Sequence, residues 1–237
     1  MEFQKLYAPS LKELFIRQLQ ERILSGELPL GSRLPAEREL SEQMQVSRAV
    51  VNGGIAELAR QGFLEVRPRQ GTFVADYRRN GNMDTLLAIL RYNSGMLGRE
   101  EIRSILEVRQ SLEHMTVRLA IDYGNDADLK RLGQIVEALA SVPAPTPGQA
   151  AELAFSFQHE MTLLGGNHIL PLIYCSFKVP VMALWVRFCR KYGVCALHYN
   201  MRRLYDTICA RDYAAASQWI DEYLEQAISG NQQIYEE

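Results

Sequence analysis

Apolar positions in the first third of the chain recur at helical spacing in three short blocks. Leu11, Leu14, Phe15, Leu19 and Ile23 form the first, opened by a Ser10–Glu13 capping box and ended by Gly26. The stretch LPLGSRLP (28–35) is a turn-rich connection. A second short helix is expected over about 36–44, with Leu40 and Met44 inward. Ser47 then caps a third, whose inward stripe is Val51, Ile55, Leu58 and Ala59 and whose stop is Gly62. FLEV (63–66) and TFVA (72–75) are β-prone runs around the turn Arg67-Pro68-Arg69-Gln70-Gly71.

Helix, helix, tight turn, helix, hairpin is the order of a winged helix-turn-helix, whose third helix enters the major groove of DNA. Beyond residue 77 a polar stretch, 78–85, reads as a linker. From there on the periodicity is helical only, over about 100–123, 126–139, 150–164, 167–177, 179–192, 196–210 and 212–228, with a Pro-rich loop at 141–149. The expected fold is mostly α: a winged head (1–77), the linker, and a bundle of six or seven helices (86–237).

At 237 residues, with 47% hydrophobic and 23% charged residues, the chain is ordinary globular material; disordered and collagen-like classes are excluded. The four cysteines (Cys175, Cys189, Cys195, Cys209) form no CxxC pair and read as buried thiols in a reducing compartment. The opening residues carry no basic stretch followed by an apolar one. The most apolar segment, 161–186, is interrupted by Gly165-Gly166, Pro171, Lys178 and Pro180. A cytoplasmic protein with no membrane partner is expected. Net charge is −2, and the split between residues 1–79 (12 Lys+Arg, 10 Asp+Glu) and the rest (14 and 18) is too small to argue from. Pattern has to carry the reading.

The strongest pattern is LPAERELS (34–41), then Val46-Ser47-Arg48, then LARQG (58–62), then GTFV (71–74). At this spacing the segment 10–75 resembles the head of the GntR family of bacterial transcription regulators. The resemblance implies DNA contacts from Arg38, Ser47, Arg48 and the wing residues Arg67, Arg69 and Gln70. A helix start with a cation beside it suits phosphate or a guanine edge. Two departures stand out. Where relatives carry a further arginine, this chain has Asn52, followed by Gly53-Gly54, and Arg69 replaces a wing-tip glycine. Asn52 either reads adenine or is a surface amide. Two glycines inside a helix cost roughly 1 kcal/mol each against alanine, and close backbone approach is a reason to keep them.

Glu107-x-Arg109-x-x-Leu112-Glu113, Phe157-Gln158-His159, Gly166-Asn167 and Asp212 are similar to the effector domain of the FadR branch of that family. Most of that branch holds a divalent metal through an aspartate and histidines. At the corresponding positions this chain has Phe155, Met201 and Tyr223, and of the ligands only His159 remains. Three or four converging N/O ligands are required, so no metal or other cofactor is expected. The stretch Arg187-Phe-Cys-Arg-Lys-Tyr192 resembles the branch's fatty-acid regulator. The apolar replacements favour a lipophilic effector, a fatty acid or acyl-CoA. Arg109 is the candidate for its acidic group, with pairing to Glu113 at i+4 as the plain alternative.

No catalytic constellation is present. The expectation is a homodimeric regulator on a near-palindromic operator, with the effector contacting Arg109, Phe155, His159, Arg187, Tyr192, Met201 and Tyr223. The rivals are a regulator that is effector-independent or answers a polar carboxylate, and a protein-interaction scaffold that binds DNA weakly.

Overall fold

In the computed structural model, which describes residues 9–92 and 99–235, the first unit opens with α1 (Leu11–Leu24). The expected capping box is formed: Ser10 Oγ accepts from Glu13 N at 3.2 Å and Ser10 N donates to Glu13 Oε2 at 2.7 Å. Next come α2 (Glu37–Gln43) and α3 (Arg48–Arg60). Between them Gln45 takes a left-handed φ of 52°, and Ser41 Oγ donates to Val46 O at 2.6 Å, which closes the tight turn. Strands β1 (Leu64–Arg67) and β2 (Gly71–Val74) pair antiparallel, Leu64 opposite Val74. Arg33 bridges to Phe73 across the other edge of β2.

Phe15, Leu19, Leu40, Val51, Leu58, Phe63 and Val74 form the head's core. The adjacent glycines have separate explanations. A Cβ on Gly54 would stand 2.3 Å from Phe15 Cδ1, whereas one on Gly53 would meet only the flexible stem of Lys12 at 3.5 Å. Gly54 lets α3 press onto the buried Phe15 ring. Burying such a side chain stabilises by about 1.5–3 kcal/mol, more than the glycine costs.

The expected linker 78–85 is replaced by helix. α4 (Tyr77–Asn80) and the start of α5 (Met83–Tyr92) occupy it. α5 is held to the end of α3: Arg60 Nη1 donates to Asp84 Oδ2 at 2.5 Å, Asn82 Nδ2 to Arg60 O at 3.0 Å, and Thr85 Oγ1 to Gln61 O at 2.5 Å. Ala88 and Ile89 pack on the head's core, so the chain divides after Tyr92 rather than at 78–85. The polar run Arg78-Arg79-Asn80-Gly81-Asn82 is solvated helix and cap.

The second unit contains α6 (Arg99–Tyr123), α7 (Asp126–Ser141), α8 (Pro147–Leu164), α9 (Leu170–Ser176), α10 (Lys178–Tyr192), α11 (Val194–Cys209) and α12 (Tyr213–Ile228). α8 packs against α6, α7, α9, α10 and α11, which makes it the central helix. It starts earlier than the expected 150, because Thr146 caps it in a capping box with Gln149, and Pro147 is suited to the first turn. Among the described residues no single helix is long and apolar enough to cross a membrane, and α9 and α10 meet at a 60° bend. Cys189 is buried, but Cys175, Cys195 and Cys209 are exposed, against the expectation of buried thiols. Spacing alone does not say which face of a helix a thiol takes.

Candidate functional site

On α3 the residues Arg48, Ala49, Asn52 and Ala56 are exposed and recur at one-face spacing, opposite the buried Val51, Ile55 and Leu58. Ser47 Oγ accepts from Val50 N at 3.3 Å. The N–H groups of Arg48 and Ala49, at the first two helical positions, are donors a helix cannot satisfy internally, and they suit a phosphate oxygen. Asn52, with its amide nitrogen turned toward acceptors, donates to Arg48 O at 3.1 Å and to Glu37 Oε2 at 2.7 Å. Its amide therefore ties α3 to α2. Arg38 Nε donates to Glu42 Oε1 at 2.8 Å, with both side chains well exposed. Such a surface pair contributes little and is readily exchanged for a phosphate.

At the wing, residues 65–70 are all exposed. Arg67 lies over the Phe73 ring at 4.5 Å and pairs with Glu65 at 2.8 Å. Gln70 N donates to Arg67 O at 3.0 Å, which closes the turn. Arg69, at the tip, has φ 64°. A left-handed backbone costs a residue with a Cβ roughly 1–2 kcal/mol, and strain of this kind concentrates where function needs a particular side chain. A glycine at 69 would be the unstrained choice.

In the second unit a buried polar group sits among apolar helices. Arg109 on α6, only 6% exposed, donates from Nε to Glu113 Oε1, and Glu113 is fully buried. Arg109 also lies over Trp185 at 4.6 Å and Tyr223 at 5.9 Å. Burial pushes the Glu113 carboxyl above its usual range, against the pull of Arg109. Burial likewise pushes the Tyr174 phenol up, opposed by the same guanidinium. Glu113 Oε2, Gln158 Oε1, Tyr174 OH and Tyr223 OH are buried without a hydrogen-bond partner. Most buried polar atoms are satisfied, so these four, gathered around the Arg109–Glu113 pair, require explanation.

Arg109, Gln158, Asn200, Met201 and Tyr223 line a cavity of about 40 Å³ whose remaining wall is largely apolar, with Leu184, Leu204 and Ile234. Sequence reasoning missed Gln158, Asn200 and Trp185. The proximity of Arg109 to an aromatic ring on α10 leaves no trace in spacing. Of the expected effector residues, Arg109, Met201 and Tyr223 are on the wall, and the others are not. Phe155 stacks on His159 at 5.8 Å, because adjacent turns of α8 carry the two on one face, and packs at a tilt against Tyr174 at 5.5 Å. Tyr192 OH donates to Gln233 O at 2.8 Å and so anchors the C-terminal segment, and the half-buried Arg187 is outside the wall. The i+4 pairing of Arg109 with Glu113 is formed, and the guanidinium still faces the cavity.

The metal ligands of the FadR branch have no counterpart that fits. Phe155, Met201 and Tyr223 offer neither imidazole nor carboxylate, and among the described residues no three His, Cys, Asp or Glu side chains group as a metal site. His114 is accounted for structurally: its Nε2 is 2.8 Å from Asp221 Oδ1 and its Nδ1 3.1 Å from Ser217 Oγ, which joins α6 to α12.

Residues 12–74 match the pattern of bacterial regulatory proteins of the gntR family, and residues 104–226 match the FCD domain. The chain is 30% identical over 228 residues to the HTH-type transcriptional regulator Mce2R of Mycobacterium tuberculosis, covering 96% of this chain and 94% of that protein. It is 29% identical over 156 residues to the fatty acid metabolism regulator protein of Shewanella pealeana, covering 66% of this chain and 63% of that protein. The fold is similar to the solved structure of Lar, which controls the Listeria monocytogenes agr system (TM-score 0.60, 15% identity, 94% and 97% covered). These relatives are regulators rather than enzymes. The exposed α3 face, the wing and the helical FCD unit agree with them: the chain belongs to the GntR family of DNA-binding transcription regulators.

Proposed function

We propose that the protein is a cytoplasmic, homodimeric regulator whose operator affinity is set by a carboxylate effector with an apolar body. The observation that carries this reading is the buried Arg109 on the wall of an otherwise mostly apolar cavity. A guanidinium attracts a carboxylate, and the leucines beside it favour a hydrocarbon tail at roughly 25 cal/mol per Å² buried. A cavity of about 40 Å³ suits a short acid as it stands; a long acyl chain enters only if side chains such as Ile234 move. The fatty-acid regulator among the relatives supports the acyl class. The dimer is supported by Val108 and Met115, which are exposed seven residues apart on α6, and two-fold symmetry then implies a near-palindromic operator. Each head presents the outer face of α3 to the major groove, with Arg38, Asn52 and the wing arginines beside it.

The test is a thermal and DNA-retardation panel: straight-chain acids of increasing length, an acyl thioester, hydroxy acids and sugar acids. The apolar acids should raise the melting temperature with concentration, as a ligand of the native state must, and shift operator affinity. If only the polar acids act, the apolar assignment is wrong.

A further inference from the structure

We propose that a carboxylate ligand takes Arg109 away from Glu113, and that Glu113 takes up one proton from solvent as this happens. The inference rests on the effector reading above and adds the chemistry of the exchange. Arg109 carries one positive charge and is already held by Glu113, both of them buried. A second carboxylate at that guanidinium would place two anions beside one cation in a site with little water. Like charges in such a site force one carboxyl to hold its proton. Glu113 is the one that loses its partner.

The orphaned atoms show what each product would do. Gln158, beside Glu113 on α8, donates its amide to the ionised carboxyl, while its side-chain oxygen is buried without a partner. A protonated Glu113 becomes an O–H donor that this oxygen accepts once the amide turns over. Tyr223 OH, on the cavity wall from α12, is an unpartnered donor for the incoming carboxylate. The groups around Glu113 are Arg109 and His114 on its own helix, Gln158 on α8 and Tyr174 on α9. From α10 and α11 the cavity receives Trp185, Leu197, Asn200 and Met201, none of which titrates near neutral pH. Before and after exchange the site holds one cation and one carboxylate anion. The proton keeps that balance.

Titration calorimetry of the full chain with butyrate and with octanoate, in buffers of different ionisation heat, decides this. Across a pH series, uptake approaching one proton per carboxylate is expected above the pH at which Glu113 ionises in the free chain, with the Kd rising there by about tenfold per pH unit. Glu113→Gln should bind without uptake and with a pH-independent Kd, its fold verified by melting. If it does not fold, the wild-type buffer series alone decides. Binding of either acid without proton uptake overturns the exchange and leaves the effector reading standing. No binding of either acid to the folded wild-type chain overturns both.

Discussion

Two arginine–glutamate pairs, one in each unit, are made from the same side chains and titrate in opposite directions. In the head, Arg60 Nη2 approaches Glu57 Oε1 at 2.6 Å, and with Gln61 it holds that carboxyl down at about 2. In the bundle, Arg109 grips Glu113 as closely, yet burial pushes the carboxyl up. The difference is water. Where solvent reaches both partners, the hydrogen bonds decide the sign; where it does not, the cost of desolvating the anion outweighs its attraction to the cation. The same contrast separates the two functions. Arg38, Arg48, Arg67 and Arg69 are solvated, so the proposed phosphate contacts would require no rearrangement of a core. The buried Arg109 is already held by Glu113, so the proposed ligand would have to displace that partner.

The most severe way to break the contrast is Arg109→Ala. It leaves Glu113 buried without its cation, so chemical denaturation at neutral pH should show a loss of about 3–5 kcal/mol. Arg60→Ala should change the unfolding midpoint little. Next is Gly54→Ala, which drives a methyl into the Phe15 ring and should cost about 1–3 kcal/mol. Gly53→Ala beside it should be neutral or stabilising by up to about 1 kcal/mol. Equal effects of the two would refute the close-approach account of Gly54. Arg48→Ala should weaken operator binding by about 1–3 kcal/mol in a titration at fixed salt, while the melting temperature stays put. Unchanged binding would remove Arg48 from the interface.

The pH dependence sharpens the comparison further. Glu57, depressed in the folded state, contributes stability that is present above its ordinary range and lost as pH falls toward about 2. Glu113, raised in the folded state, contributes most below its ordinary range, and that contribution declines as pH rises through the window up to its folded value. Denaturation midpoints across pH should therefore show a slightly shallower acid limb in Glu57→Gln, the pair being solvent-exposed, and a smaller decline with rising pH in Glu113→Gln. The smallest effect expected is none: chelator should leave melting unchanged, with no stoichiometric metal by elemental analysis. About one metal per chain, lost in His159→Ala, would overturn the assignment of Phe155, Met201 and Tyr223.

Much of the head was legible because its signals are local. A cap reaches three residues, a helical stripe repeats every three or four, and a hairpin turn closes on itself. Ser10, Ser47, Gly62 and the wing were read on those terms, and their elements fall within a few residues of expectation. The 78–85 segment misled for a complementary reason. A polar run looks the same whether it is a free tether or the solvated start of a helix, and only the bonds from Asp84, Asn82 and Thr85 to the end of α3 distinguish them.

By itself the sequence determined the two-part organisation, the winged head, the all-helical second unit and the family, since periodicity and short motifs are properties of neighbouring residues. It also put Glu113 within reach of Arg109, one helical turn away. Only the tertiary structure decided that this pair is buried, that Gly54 rather than Gly53 meets Phe15, and that Tyr223 and Met201 share a cavity wall with Arg109 while Phe155, His159 and Tyr192 do not. Those facts depend on which helices face each other and on how much water remains between them, and no spacing along one chain encodes either.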